Sequence, residues 1–171
     1  MSAFDGPLLA AAALLVVAGV AKIVRPASTI GALRSVSAPA TALSVRIVGV
    51  AESTLGATAL IIGGVVVDVS IAAAYAAFLT FVLIARRRGG AVASCGCFGR
   101  EDTPPTGAHV IVTTLVAAVA TVAAATGGHD GLVALPYGID ALAVVAFAAL
   151  TAWLGWLVLA VLPRLHVVTD H

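Results

Sequence analysis

Five apolar stretches constrain this chain more than any other feature, because each is close to the length that crosses a bilayer as a helix. They cover residues 7–24, 43–66, 69–85, 110–126 and 139–162, against the roughly 17–25 residues a transmembrane helix needs. Composition agrees: 61% of residues are apolar, 10% are charged and the mean hydropathy is +1.15. Soluble domains run at about 45–50% apolar and about 25% charged, so an ordinary soluble domain, a disordered chain and a disulfide-dense secreted module are excluded. The net charge of +1 and the lack of a polar basic face give no case for nucleic acid. Abundant Ala and Gly suit helices whose backbones approach closely in lipid. The expected fold is all-α, a single polytopic membrane domain of five transmembrane helices over residues 1–171. A four-helix reading would merge the second and third runs, which meet at Gly63, Gly64 and Asp68, into an implausibly long span.

Orientation follows from the charges. Residues 1–6 contain Asp5 but no Lys or Arg, unlike the basic start of a cleavable signal peptide, so the first helix is expected to stay in place. With the N-terminus outside, all 9 Lys and Arg residues fall on or near the cytoplasmic side, from Lys22, Arg25 and Arg34 to Arg164. The two outer loops hold none. The positive-inside rule is seldom met so one-sidedly, and it points to a multi-pass protein of the plasma membrane with a cytoplasmic C-terminus.

The long polar segment, residues 86–107, reads RRRGGAVASCGCFGREDTPPTG, too rich in Gly and Pro for a stable helix. It holds both cysteines of the chain, Cys95 and Cys97. Buried, inert thiols are one reading of such a pair, although Gly96 and Gly99 open turns that other residues resist. In a redox reading the two alternate between dithiol and disulfide. A Cys-x-Cys ring is strained, and strained disulfides are the readily reduced ones; nearby arginines would favour the thiolate. In a metal reading, the thiolates with His109, Glu101 or Asp102 would hold a soft or borderline cation. His109, at the start of the fourth span, reads first as a helix-end residue at the interface and second as part of this site.

Glu52 lies nine positions into the second span, about 14 Å along the helix. A carboxylate there costs a few kcal/mol and normally faces the bundle interior with a partner. Lys22, near the end of the first span, is the expected partner, either as a structural pair or with Glu52 as a proton acceptor for thiol chemistry. Arg46, about 240° around the helix from Glu52, is expected to snorkel to the interface. Asp68 and Asp140 read as helix-start residues that cap free amides and meet a favourable dipole. Interfacial anchoring accounts for Tyr137 and in part for Trp156.

The string Cys95-Gly96-Cys97-Phe98-Gly99, after several spans, resembles the signature of the methylamine utilisation protein MauE family, which is related in architecture to DoxX-like helix bundles. Gly19 with Lys22, and Glu52 with Leu55 and Gly56, support the resemblance, which covers roughly residues 7–126. It implies a role in maturing extracytoplasmic proteins, in the best-known case the disulfide-rich small subunit of methylamine dehydrogenase, beside a thioredoxin-like partner, MauD. It further implies Cys95 and Cys97 as the redox pair, with Lys22 and Glu52 in structural or proton-handling roles. The topology puts the pair at the cytoplasmic end while the implied client lies outside. Electrons taken up inside would then have to be presented outward through the bundle.

The reading that results is a thiol–disulfide redox partner, possible as an oxidoreductase, exchanging electrons through Cys95 and Cys97 with a thioredoxin-like protein. Its rivals are a soft-metal carrier using Cys95, Cys97 and His109, and a non-catalytic membrane scaffold. No nucleotide-binding loop, dinucleotide fingerprint or His-Glu-x-x-His motif is present, so no cofactor is argued, and quinone binding has no residue support.

Overall fold

The computed structural model describes residues 2–87, 106–135 and 138–161. Its helices are α1 (Asp5–Val24), α2 (Pro26–Ser35), α3 (Ala42–Ile61), α4 (Val65–Arg87), α5 (Gly107–Ala125) and α6 (Ile139–Trp156), the last running into a π-helical segment, Leu157–Val161. Five of them are long and apolar enough to cross a membrane: α1, α3, α4, α5, and α6 with its π-helical extension. The all-α expectation and the span count therefore hold. The second span stops earlier than its apolar run, at Ile61, because Gly63 and Gly64 take φ of +70° and +100°, where residues with a Cβ are strained. That makes the short turn into α4.

One helix has no counterpart in the expected spans. α2 is too short and polar to cross a bilayer, and it starts with Pro26 at its first position, where the missing N–H costs nothing. It buries Ser28, Thr29 and Ala32 and leaves Arg25, just before it, and Arg34 exposed. Thr41 then caps α3 in a reciprocal box with Ser44: the Ser44 N–H donates to Thr41 Oγ1 at 3.1 Å and the Thr41 N–H donates to Ser44 Oγ at 3.0 Å.

α1 is the hub. Of its span, 56% is buried inside the bundle, against 17–28% for the other four, so most of the apolar surface of the outer helices faces lipid. Contact between α1 and α3 runs through small residues: a Cβ on Gly49 would lie 2.7 Å from the Gly19 carbonyl oxygen, and one on Gly56 would lie 2.6 Å from that of Ala12. Without a hydrophobic effect between helices in lipid, this close approach is what gives dispersion energy. Tyr75 of α4 donates its hydroxyl to the Ala11 carbonyl at 2.8 Å, joining a core of Leu8, Ala12, Leu15, Ile71 and Ala120. α6 closes the other side of α1, with Phe147 against Gly6.

All carboxylates of the described residues except Glu52 lie at the end of the bundle where α1 begins: Asp5, Asp68, Asp130 and Asp140. Arg25, Arg34, Arg46, Arg86 and Arg87 lie at the opposite end and are exposed. These are the carboxylate end and the arginine end below.

Candidate functional site

In an α-helix each Cα–Cβ bond leans toward the helix N-terminus. Lys22 sits in the last turn of α1, so its stem leans away from the arginine end and into the bundle. Glu52 sits on antiparallel α3, and its side chain leans the opposite way. The two meet: Lys22 Nζ donates to Glu52 Oε2 at 2.7 Å, with side chains only 5% and 9% exposed. Lys22 therefore does not snorkel to the interface, although it stands two residues from the end of its helix. Its ammonium also lies 5.0 Å from the centre of the Phe78 ring, a distance at which a cation is attracted to the aromatic face. The pair expected from the sequence is thus formed, and Phe78 of α4 completes it. Arg46 is exposed, as a snorkelling residue would be.

Phe78 is shared with a cavity on the arginine side of the bundle. Leu15, Ala18, Phe78, Val82, His109 and Leu159 are among its walls, enclosing about 460 Å³ with its open mouth included. Leu159 reaches it from the π-helical segment, where the widened turn buries Leu159 and Ala160. His109 is 3% exposed. Its Nδ1 accepts the Thr106 N–H at 3.2 Å, and Thr106 Oγ1 lies 3.0 Å from the same nitrogen. In its neutral form the ring therefore carries its proton on Nε2. The helix-start role expected of His109 is observed, in a more buried setting than an interface residue has.

Cys95 and Cys97 lie outside the described residues, as do Glu101, Asp102 and Tyr137. What the structure establishes is where their segment attaches. α4 ends at Arg87 and α5 begins at Gly107, both at the arginine end, and Val82 and His109, on the two flanking helices, line the cavity. Among the described residues no group of three or more His, Cys, Asp or Glu side chains is placed to hold a metal ion.

Most of this geometry, Leu159 excepted, lies within one family match. Residues 5–127 match the family described as Methylamine utilisation protein MauE. The chain belongs to the MauE family. The match takes in α1 to α5, and with them Lys22, Glu52, the cysteine-bearing segment and His109; α6 lies beyond it. No curated protein matches the chain, and no solved structure does. As a MauE-family protein with five membrane-length helices, it is a multi-pass membrane protein in a lipid environment.

At the carboxylate end the structure corrects one expectation and adds a constellation that sequence reasoning missed. Asp68, read as a cap of its own helix, is fully buried in the first turn of α4. Its carboxylate instead binds His129: Oδ2 accepts the His129 backbone N–H at 2.9 Å and Oδ1 faces ring Nδ1. Asp5, also fully buried, accepts the Asp130 N–H at 3.0 Å and the Ser2 N–H at 2.7 Å. The signal in the sequence was Gly127-Gly128-His129-Asp130, a glycine pair opening a turn beside two ionisable residues. Asp140 stays exposed in the first turn of α6, where a helix dipole favours a carboxylate.

Proposed function

We propose that this MauE-family protein is a membrane thiol–disulfide redox partner, in which Cys95 and Cys97 exchange a disulfide with a thioredoxin-like protein during maturation of an extracytoplasmic client. The family's name makes methylamine utilisation one setting for that client. The observation that carries the reading is the pairing of both cysteines of the chain in one segment, joined to the end of the bundle that holds Lys22, Glu52 and His109. In the exchange, one thiolate attacks the partner's disulfide and forms a mixed disulfide. The second cysteine then attacks that bond, so two electrons pass to the partner, which leaves as a dithiol while Cys95 and Cys97 become a disulfide. The reverse sequence returns the electrons. Only the thiolate attacks, and the cationic arginine end favours it.

In this reading the membrane is the plasma membrane, the N-terminus lies outside and the arginine end faces the cytoplasm, as the positive-inside rule requires. Lys22, Glu52 and Phe78 tie α1, α3 and α4 together at the end of the bundle to which the cysteine segment is joined. In this reading Glu52 accepts a proton from that side of the bundle.

The experiment is a Cys97→Ser variant produced in cells. It is expected to insert normally, to accumulate a mixed disulfide between Cys95 and a thioredoxin-like partner on non-reducing gels, and to abolish client maturation. Normal maturation in the variant would sink the redox role. Metal-dependent protection of both thiols from alkylation, with no redox cycling, would replace it by soft-metal transport.

A further inference from the structure

The backbone of residues 127–135 crosses the carboxylate end of the bundle and closes it. The last carbonyls of any helix lack partners within the helix, and at membrane depth an unpaired carbonyl costs several kcal/mol. Here the crossing segment supplies the partners for α3. Leu132 N–H donates to the Leu60 carbonyl at 2.8 Å, Val133 N–H to that of Ile61 at 3.2 Å, and Gly131 N–H to that of Ile62 at 3.2 Å. The fourth partner is a side chain: His129 Nε2 lies 3.0 Å from the Ala59 carbonyl oxygen.

Both ring nitrogens of His129 face acceptors. Nε2 faces a carbonyl, which only accepts, and Nδ1 faces the carboxylate of Asp68. A neutral imidazole has one N–H and can satisfy one of these acceptors; an imidazolium satisfies both. Ala59 belongs to the C-terminal turn of α3, the negative end of its dipole, and Asp68 belongs to the first turn of α4, the positive end. The titratable groups at this end, among the described residues, are Asp68 from α4, Asp5 from α1 through the Asp130 N–H, Asp130 itself and Asp140 at the start of α6. Lys and Arg are absent from it among those residues, and the side chain facing the Asp68 carboxylate is His129.

We propose that residues 127–135 form a proton-operated latch, in which His129 as an imidazolium locks the segment to Asp68 and to the end of α3, and loss of its ring proton releases it. The sign is set by the geometry: the locked form is full while the ring holds two protons and is lost as pH rises through the ring's titration. Release would uncover the α3 carbonyls and the Asp5 and Asp68 carboxylates together, opening one end of the bundle without disturbing the Lys22–Glu52 pair. The latch does not depend on the redox reading, since it uses no residue of the cysteine segment.

The test uses the whole protein, labelled with ¹⁵N-histidine in lipid nanodiscs, with a His129→Gln variant to assign the ring signals. At neutral pH both ring nitrogens of His129 are expected to carry protons. On raising the pH, loss of one is expected to coincide with amide exchange at Gly131, Leu132 and Val133 becoming roughly ten- to a hundredfold faster after correction for the intrinsic rate, the weight of one hydrogen bond to a charged group. An Asp68→Asn variant keeps an oxygen for the ring N–H and is expected to move the proton loss to lower pH. Three results would overturn the latch: a ring with one bare nitrogen at neutral pH, exchange that stays unchanged across the titration, or a ring that keeps both protons until the whole bundle unfolds.

Discussion

At the arginine end, a buried ion pair joins two transmembrane helices side by side; at the carboxylate end, a buried histidine–carboxylate contact fastens a loop across helix ends. Lys22 and Glu52 lie 30 residues apart on neighbouring, close-contacting helices, and each long side chain spans the gap by leaning along its own axis. Asp68 and His129 lie 61 residues apart, and their contact depends on the path of a segment outside any helix. The first pair is insulated by lipid-depth surroundings and an aromatic ring. The second is surrounded by backbone groups that need partners. Burial of charge thus serves helix registration at one end and closure at the other.

The largest effect should come from breaking the Lys22–Glu52 pair on one side. Glu52→Ala leaves Lys22 buried without a counter-charge and is expected to cost about 3–5 kcal/mol, read as a lower melting temperature of the purified protein in detergent. The double variant Lys22→Met with Glu52→Leu removes both charges and should recover most of that loss. If the recovered bundle still exchanges disulfides at the original rate, the pair is structural; if the rate falls while stability returns, Glu52 handles protons.

A smaller effect is expected at the carboxylate end. Asp5→Ala removes the acceptor of the partly buried Asp130 N–H and should cost about 1–3 kcal/mol, seen as faster exchange at residues 127–135. Thiol exchange should not change. A change in thiol exchange would mean that the two ends are coupled and would break the comparison. The smallest effect belongs between the ends. Tyr75→Phe deletes one interhelical hydrogen bond, to the Ala11 carbonyl, and is expected to cost about 0.6 kcal/mol, the average for such bonds in membrane proteins. A loss several times larger in the same melting assay would show that Tyr75 governs how α4 seats on α1.

Much of the arginine end was legible in the sequence. A charge inside an apolar run has few possible counterparts, so Glu52 called for a cation near the membrane, and Lys22 was the one on the neighbouring span. His109 was legible as a helix-end residue because it stands at the start of the fourth apolar run. Phe78 was not, since an aromatic residue in an apolar span carries no mark of the cation above it. α2 was hidden for a different reason. Its sequence, PASTIGALRS, mixes Ser, Thr and Gly, which favour turns and caps, and only Pro26 at its start signals a helix.

What the chain determined by itself is the set of transmembrane helices, the separation of charge between the two ends and the grouping of both cysteines in one polar segment. These are properties of contiguous stretches, and the cost of exposing polar backbone or charge to lipid acts on each stretch separately. What only the tertiary structure decided is which buried groups meet across the bundle. Asp68 could have capped its own helix, and His129 could have remained on the surface. Residues 127–135 cross the bundle end where Gly131, Leu132 and Val133 donate to the last carbonyls of α3, and that path brings the imidazole onto the carboxylate.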